Sequence, residues 1–557
     1  MGVRSGRAVL RLRARRLARQ SDRLDQPGRH AGPGRTFAAG RERPTPARRG
    51  GRTGRPPGVR SRRDICSSRP APGTSPTQGR GMRVRRPSRF VLGLIAIAVL
   101  GLGIRVTFIV TERSTPLGGD AIYYTKAANL LADGKGFIDP FRYLYGSEET
   151  ITLADGTEKT ITIPVGHVEP TAGHPPIYVL YLAAFSELGI RSPLSHKVVS
   201  AILGLASIIL AGLLGRELRS ERLGLIAAFL TAVYANIWIN DIVLMSECAA
   251  IVMVFAVTLF GVRFWRSPTL RNGVWFALAG ALAALSRAEL LLYMPIIGAV
   301  ALLRVRLPWL TRARTYAVMG LVCLAAISPW VIRNNLVMEN SLTLSDGAGT
   351  VLVQANCDLT YYGDENGDHI GGWYLYCGSR TQPYGPNGEL LDESQRDAVV
   401  REQAMEYISS HVGRLVTVVV PARIGRMWSV YQPIDQMRTE IVERRPALPA
   451  WIGFWQYVFL MPFMFAGIVI QWRRREPVLV LLLWVVLVTF TAATTFGNLR
   501  YRTAAEVAIV MFAAISFDAI WDAIRRRFGS GARSRTATDA PEPENPAGGS
   551  RLGVAST

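Results

Sequence analysis

The feature that most constrains this chain is a series of apolar runs that can cross a lipid bilayer, which takes about 17–25 residues per helix. Eight runs are continuous, and they lie near residues 90–110, 196–215, 223–241, 247–265, 315–332, 451–471, 477–496 and 503–523. The stretch 273–304 is interrupted by Arg287 and Glu289 and is typical of a tight hairpin of two further spans. Because 49% of the residues are hydrophobic and 19% are charged, we predict an all-α polytopic membrane protein with about ten transmembrane helices.

Positive charge is concentrated before the first apolar run. The formal net charge is +24, and residues 1–89 contain 25 Arg, no Lys and four acids. The rest of the chain is nearly neutral, which excludes nucleic-acid binding as the main function. We expect residues 1–88 to form a disordered, Arg-rich cytoplasmic tail. It is either a basic arm on an anionic leaflet or, as we favour, an extension that is not normally translated, with the start at Met82.

The topology depends on one short apolar segment, residues 174–190, which begins with two prolines after His174. If this segment does not cross the membrane, the positive-inside rule is obeyed, because four Arg clusters then lie in the cytoplasm, near residues 263–271, 304–314, 473–475 and 525–527. If it crosses, all four lie outside. We therefore predict an amphipathic helix on the outer surface, two cytoplasmic termini and a multi-pass protein of the plasma membrane.

This topology divides the chain into five parts. They are the N-terminal tail, a transmembrane core (89–332) with a first outside loop (112–195), a large second outside loop (333–450), C-terminal transmembrane helices (451–525) and a disordered cytoplasmic tail (526–557). Loops of this length in compact proteins are usually functional. Within the second outside loop we predict a helix over 393–410.

Two of the five cysteines, Cys357 and Cys377, bracket a Gly-rich stretch of the second outside loop. They share an oxidising compartment, so we predict a disulfide rather than two free thiols. A zinc site would need closer spacing and His partners. No phosphate-cradling Gly-rich loop, metal-ligand cluster or Gly-x-Ser-x-Gly motif occurs in the sequence. The sequence therefore indicates no metal and no cofactor.

Two acids lie where apolar segments meet the outer surface. Asp120 comes about ten residues after the first span, and apolar residues recur at helical spacing from Tyr123 to Leu131. This places its carboxylate near the interface, although Asp before a helix is also typical of an N-cap, the interpretation that we favour from these residues alone. Glu247 opens a span, where an acid is costly. A functional role and an ordinary interfacial position are both compatible with it.

Three outside Arg residues run against the positive-inside trend and so need anionic partners. Arg333 follows one span, and Arg500 and Arg502 lie at the outer end of the second-last span. A lipid phosphate is the natural partner, and snorkelling towards head groups is the alternative. We expect Arg287 and Glu289, at the apex of the hairpin, to pair with each other.

Six short motifs follow one another across most of residues 89–525. They are Gly119-Asp120 with Tyr123-Tyr124, Gly134-Lys135-Gly136-Phe137, His174-Pro175-Pro176-Ile177-Tyr178, Met245-Ser246-Glu247, Pro329-Trp330-Val331-Ile332-Arg333-Asn334 and Arg500-Tyr501-Arg502. The ordered set resembles the GT-C superfamily of polyprenyl-phosphate-sugar-dependent glycosyltransferases, in particular the protein O-mannosyltransferase and lipid A aminoarabinose transferase branch. That family also has interfacial helices in its first outside loop.

The resemblance implies a GT-C fold with an extracytoplasmic active site and no metal, cofactor or nucleic-acid partner. A polyprenyl-phosphate sugar enters from the bilayer, and an acceptor hydroxyl of a protein, glycan or lipid receives the sugar with inversion. The family's first-loop Asp is the general base, which corresponds to Asp120. Arg500 and Arg502, with Arg333, then stabilise the leaving phosphate. The other residues that we assign to substrate binding are Tyr123, Tyr124, His174, Glu247 and Tyr501.

The sequence departs from the family in two places. Ala121 follows Asp120 where O-mannosyltransferases usually have Glu, and His174 stands where aminoarabinose transferases usually have Lys. The sugar, the prenol and the acceptor therefore stay open. A lipid-linked-sugar flippase or transporter, which would be expected to show internal repeats and interrupted spans, and a non-enzymatic scaffold are the alternatives. An O-antigen-type polymerase or ligase shares the chemistry but lacks the first-loop Asp motif.

Overall fold

The computed structural model describes residues 88–535, except 154, 366, 376, 378–383 and 386. The predicted N-terminal tail up to residue 87 and the segment 536–557 lie outside the described residues. The last helix continues to Arg535, so residues 526–535 are helical, contrary to the predicted start of a disordered tail at 526. Adding a turn to an existing helix is much less costly than nucleating a new one.

Helices make up most of the described chain. In the first half they are α1 (Arg89–Thr111), α2 (Gly119–Ala132), α3 (Pro140–Tyr145), α4 (Ile177–Glu187), α5 (Pro193–Leu218), α6 (Glu221–Val233), α7 (Ala235–Ile242), α8 (Glu247–Arg266), α9 (Leu270–Ser286) and α10 (Tyr293–Leu303), the last preceded by a 3-10 turn at Ala288–Leu292. In the second half they are α11 (Trp309–Val337), α12 (Ala348–Ala355), α13 (Asp358–Tyr362), α14 (Glu393–Ser410), α15 (Val412–Arg414), α16 (Val420–Met427), α17 (Pro433–Val442), α18 (Ala447–Arg473), α19 (Val478–Thr494) and α20 (Thr503–Arg535), with a π-helical turn at Leu415–Val419 and a 3-10 turn at Leu499–Arg502. The predicted helix over 393–410 is confirmed as α14.

Ten apolar helical segments coincide with the ten predicted spans. Within the described residues, six are long and apolar enough to cross a membrane, namely α1, α5, α8, α11, α18 and the stretch Leu499–Phe528. A seventh is formed if α6 and α7, which meet at an angle of 51°, count as one span. The other three, α9, the stretch Ala288–Leu303 and α19, have fewer than 18 residues. The protein is therefore a multi-pass, all-α membrane protein, as predicted.

The segment on which the predicted topology depends forms the short helix α4, of 11 residues. Its length of about 16 Å is roughly half of a ~30 Å hydrocarbon core, so α4 is too short to cross a bilayer. It packs along α2 instead, where Tyr178, Val179 and Leu182 are buried together with Tyr124 and Ala128. This arrangement agrees with the prediction that 174–190 does not span.

The first outside loop also contains an antiparallel hairpin that the sequence analysis did not predict, β1 (Ser147–Thr152) and β2 (Glu158–Ile163). Ile and Thr alternate over the last three residues of β1 and the last four of β2. The turn contains Asp155, which accepts hydrogen bonds from Thr157, and Gly156, whose φ of +88° favours glycine. Alternating residues on both sides of an Asp-Gly pair are a recognised hairpin signal.

Close contacts between helices hold several spans against one another. An added Cβ at Gly467 of α18 would lie 2.1 Å from Phe512 O of α20, an approach that only a small residue permits. Arg105 of α1 donates to Asp241 of α7 at 2.6 Å, both side chains being buried. The start of α8 lies beside the 3-10 turn before α20, because Glu247 and Arg500 form an ion pair.

Candidate functional site

Asp120 is the second residue of α2, and its side chain contacts a distant part of the chain. The N-cap of α2 is Gly118, and no side chain caps this helix, so the N-cap interpretation of Asp120 is wrong. Its Oδ2 accepts a hydrogen bond of 2.6 Å from Arg500 Nη2. The two side chains are 32% and 22% exposed. A carboxylate and a guanidinium that are 380 residues apart in sequence therefore form a direct ion pair.

The guanidinium of Arg500 lies within 4 Å of three carboxylates. Besides Asp120, Glu247 Oε1 accepts from Arg500 Nε at 2.8 Å, and Glu443 Oε2 lies 3.9 Å from Arg500 Nη1. Glu247 is fully buried and also lies 3.0 Å from Arg287 Nη1. The costly acid at the start of α8 therefore holds two guanidinium groups in place.

Arg287 belongs to the same cluster. The expected pair is present, because Arg287 Nε donates to Glu289, but the guanidinium also reaches Glu247 and lies over the ring of Tyr501 at 5.5 Å. Arg287 follows α9 in an extended conformation before the 3-10 turn begins. This break in the hairpin turns its side chain towards Arg500 and Tyr501.

The charged groups around Asp120 keep its carboxylate ionised at neutral pH. Burial raises the pKa of Asp120, but Arg500, with a smaller contribution from His174, outweighs burial and lowers that pKa below its usual value. Burial lowers the pKa of His174 against the opposing charge of Asp120, so the imidazole is neutral. The Tyr124 hydroxyl is hydrogen-bonded to His174 Nδ1 at 3.1 Å, and Tyr123 meets the imidazole edge-on at 4.7 Å. The imidazole and the two Tyr rings therefore pack together beside an ionised acid.

A narrow cleft with an internal volume of about 10 Å³, roughly the space of one water molecule, adjoins this cluster. One end is charged and polar and is formed by Arg287, Glu289, Arg500 and Tyr501. The rest of the lining is largely apolar and comes from Ala250, Val254, Leu290, Val488 and Ala504. The cleft therefore has a charged end and an apolar wall.

The other two Arg residues of the sequence prediction lie in different surroundings. Arg502 is 1% exposed, donates to Glu506 at 2.6 Å and stacks on Tyr457. Arg333 donates to the backbone carbonyls of Phe137 and Thr171. The structure thus gives both residues protein partners, a buried acid for Arg502 and the first outside loop for Arg333. Their role in binding phosphate stays a prediction.

A disulfide joins Cys357 and Cys377, the pair predicted from the sequence. The loop that it closes contacts the segment before Arg500, because Gly497 N donates to Gly371 O at 2.8 Å. The covalent link therefore supports the backbone that carries Arg500. Among the described residues, no group of three or more His, Cys, Asp or Glu side chains is arranged to hold a metal ion.

The sequence analysis did not identify Glu443 as a site residue, and it expected Arg287 to pair only with Glu289. A charged residue that interrupts an apolar run is a signal for a functional position, and Arg287 carries that signal. Glu443 carries no such sequence signal, because it belongs to a long loop in which acids are common. Its Oε1 accepts from Asn498 Nδ2 at 3.2 Å, a contact between two loops that no motif indicates.

Residues 173–332 match the family model described as dolichyl-phosphate-mannose-protein mannosyltransferase. This region includes His174, Glu247 and Arg287, whereas Asp120 and Arg500 lie outside it. The resemblance predicted from the motifs is thereby confirmed for this part of the chain.

Two solved structures are also similar to this chain. The oligosaccharyltransferase AglB from Archaeoglobus fulgidus, in complex with an inhibitory peptide and a dolichol-phosphate, aligns over 82% of this chain and 52% of its own, with 15% identity and a TM-score of 0.44. ArnT from Cupriavidus metallidurans, bound to undecaprenyl phosphate, aligns over 77% of this chain and 78% of its own, with 13% identity and a TM-score of 0.33. The chain spans about half the length of the archaeal enzyme. No curated protein matches it.

Proposed function

We propose that this chain is an integral membrane glycosyltransferase that transfers a sugar from a polyprenyl-phosphate donor to an acceptor hydroxyl on the extracytoplasmic face, with inversion and with Asp120 as general base. The observation that carries the proposal is the ion pair between Asp120 and Arg500. It joins the residue that the resemblance assigns as base to a residue that it assigns to the leaving phosphate. The family match over residues 173–332 supports the class of reaction.

In this mechanism Asp120 accepts the proton of the acceptor hydroxyl. The acceptor oxygen forms a bond to the anomeric carbon while the bond from that carbon to the phosphate oxygen breaks, and its electron pair leaves with the polyprenyl phosphate. A single displacement of this kind inverts the anomeric configuration. Because the leaving phosphate gains negative charge, it needs cationic donors, and Arg500 and Arg287 are placed to supply them.

The contact with Arg500 also sets the strength of the base. While the guanidinium binds Asp120, it stabilises the ionised carboxylate and makes it a weaker proton acceptor. A phosphate that accepts from Arg500 Nη2 competes with Asp120 for this N–H. Donor binding therefore strengthens the base, which favours proton transfer only after the donor is in place.

The cleft supports a lipid donor rather than a nucleotide sugar. Its apolar lining, which includes Val254, Leu290 and Val488, adjoins the end that holds Arg287 and Arg500. An apolar wall beside two guanidinium groups is the combination of surfaces that a lipid phosphate requires, and the wall would have to open to admit an isoprenoid chain. No phosphate-cradling loop is needed, because the activated sugar arrives attached to lipid.

The distribution of Arg supports the side of the membrane. α8 begins at Glu247, in the cluster, and ends at Arg266. α20 follows Arg500 and passes through the Arg residues at 525–527. Both helices therefore carry Arg at the end opposite the cluster. By the positive-inside rule that end is cytoplasmic, which favours an extracytoplasmic site and a cytoplasmic C-terminus.

A lipid-linked-sugar flippase is the second candidate, and one observation favours it. The pair α6 and α7 is bent by 51°, and interrupted spans are typical of transporters. A flippase moves the donor intact across the bilayer, whereas a transferase consumes it. A single assay of donor consumption therefore separates the two functions.

The test incubates the full chain, in lipid nanodiscs, with a panel of polyprenyl-phosphate sugars and an envelope extract, and measures released polyprenyl phosphate. Asp120→Asn removes the base with little change in shape. Asp133→Asn, at the exposed end of the same helix, is the matched control. We expect release by the wild type and the control, and a loss of about 10²–10⁴-fold in Asp120→Asn.

Two results contradict the proposal. Equal release by Asp120→Asn and the wild type removes Asp120 from the mechanism. Translocation of the donor across a vesicle membrane, with no release by folded protein, supports the flippase instead.

A further inference from the structure

The charges around Arg500 do not balance. Four carboxylates surround two guanidinium groups there, namely Asp120, Glu247, Glu289 and Glu443 around Arg287 and Arg500. The adjacent pair of Glu440 and Arg445 is balanced internally. With all four carboxylates ionised, the cluster carries an excess of negative charge, and a phosphate adds more. Burying additional like charge is costly unless a proton or a cation accompanies it.

One of the four carboxylates differs from the others in its hydrogen bonds. Asp120, Glu247 and Glu289 each accept from a guanidinium, so protonation weakens a charge-assisted bond in each case. Glu443 Oε1 accepts from the neutral amide of Asn498. Glu443 Oε2 is buried and accepts no hydrogen bond within the described part of the chain. Protonation of Oε2 therefore breaks no hydrogen bond.

The backbone holds Glu443 over the site. Glu443 follows α17, and Arg444 comes next in the left-handed region with φ +66°. Arg444 packs against Gly118 so closely that an added Cβ on Gly118 would lie 2.7 Å from Arg444 Cγ. Gly118 precedes Asp120 by two residues. The second outside loop therefore closes onto the first at this point and keeps the Glu443 carboxylate beside Arg500.

We infer that Glu443 takes up a proton when the phosphate of the lipid donor binds at Arg500. Arg500 Nη1 then donates to the phosphate instead of pairing with the Glu443 carboxylate. The inference rests on the proposed function, because it takes a polyprenyl phosphate as the ligand. The proton moves from solvent to Glu443 Oε2 and returns to solvent when the polyprenyl phosphate leaves. Glu443 is thus a positioning residue that acts on the donor through Arg500.

The electrostatic surroundings of Glu443 agree with this role. Burial raises the pKa of Glu443 to about 7 against the opposing Arg500, with Glu440 and Asp120 adding to the rise and Arg445 opposing it. A bound phosphate adds negative charge and raises this pKa further. Binding then takes up a proton above pH 7 and almost none well below it. The affinity is therefore constant at low pH and weakens as the pH rises through 7.

The test measures the binding of undecaprenyl methyl phosphate to the full chain in nanodiscs from pH 6 to pH 8. This phosphodiester carries one negative charge over the whole range, so its own titration does not contribute. For the wild type we expect Kd to rise about tenfold, as uptake of one proton by a group with a pKa of about 7 requires. Glu443→Gln keeps the acceptor for Asn498, and we expect its Kd to be independent of pH.

Two controls accompany this comparison. Glu443→Asp restores a titrating carboxylate and, with it, a pH-dependent Kd. Glu187→Gln removes an exposed acid of α4 and should keep the wild-type slope. Calorimetry of the wild type in two buffers of different ionisation enthalpy measures the proton directly, and we expect uptake of about one proton at pH 8 and almost none at pH 6.

The outcomes distinguish the inference from the proposed function. A wild-type slope in folded Glu443→Gln, or no proton uptake by the wild type at pH 8, overturns the inference and leaves lipid-phosphate binding intact. If the phosphodiester binds no better than undecaprenol, the proposed function fails, and the inference fails with it.

Discussion

Replacing Arg500 by Gln separates two effects of its guanidinium, the stabilisation of phosphate charge and the control of Asp120. The side chain holds Asp120 through Nη2 and Glu247 through Nε, and a Gln side chain cannot make both contacts. We expect kcat to fall about 10²–10³-fold, the usual loss for one preorganised charge-stabilising donor. This loss corresponds to about 3–4 kcal/mol of transition-state stabilisation.

The pH dependence of kcat/KM, which reports the free enzyme in which Arg500 contacts Asp120, gives the second signature. Burial alone raises the pKa of Asp120, and Arg500 reverses that effect and lowers it. Without the guanidinium, burial and the neighbouring Glu247 raise the pKa of Asp120 above its usual value. A base with a raised pKa is protonated at higher pH, so the acid limb of the kcat/KM profile moves to higher pH in Arg500→Gln.

The assay measures polyprenyl-phosphate release from pH 4 to pH 8. Arg500→Lys keeps the charge but cannot bridge two carboxylates, so we expect a smaller loss of kcat and a smaller shift of the acid limb. Arg191→Gln, an exposed Arg paired with Asp133, serves as control. A wild-type kcat and an unmoved acid limb in Arg500→Gln refute the reasoning. A reduced kcat with an unmoved limb restricts Arg500 to the phosphate.

Three further perturbations test the groups that support the site. Glu247→Gln removes a fully buried charge that pairs with two partly exposed guanidinium groups. Thermal unfolding in nanodiscs should show a loss of about 3–5 kcal/mol, against about 1 kcal/mol for the partly exposed Glu289→Gln. Equal losses in the two variants would contradict this assignment. Cys357→Ser removes the disulfide, whose cysteines are 20 residues apart. We expect a loss of about 2–4 kcal/mol in the free energy of unfolding, measured in the same way. An unchanged stability would contradict the supporting role of the disulfide. Tyr124→Phe removes the hydrogen bond to His174. It should lower kcat/KM by less than about tenfold, because one neutral hydrogen bond contributes about 1 kcal/mol. A loss as large as that of Asp120→Asn would show that Tyr124 does more than orient the imidazole.

Much of the fold could be predicted because the signals for each helix lie within a short stretch of the sequence. A bilayer demands about 20 apolar residues per crossing helix, and this condition can be read from each segment by itself. The helix at 393–410 begins at a capping box formed by Asp392 and Gln395, which is also a local signal. The hairpin around Asp155 was missed although its turn signal is equally local. The bend between α6 and α7 at Tyr234 carries no such signal.

The site was harder to predict, because the same reasoning applied to residues with different surroundings. Arg333, Arg500 and Arg502 were all expected to need anionic partners. Arg500 contacts carboxylates of the site, whereas Arg502 contacts Glu506 and Arg333 contacts backbone carbonyls. A sequence indicates that a charge near the bilayer needs a partner. It does not indicate which partner the packing provides.

The sequence by itself determined the apolar helices, the short helix α4 that cannot span, and the presence of Asp120 and Arg500 at segment ends, because each depends on neighbouring residues and on the thickness of a bilayer. Only the tertiary structure decided that Asp120, Arg500 and Glu443 meet. Their contacts join segments as far apart as 380 residues in sequence. Such contacts arise from how the helices and outside loops pack against one another, and this packing brings a charge to its partner within a few ångströms.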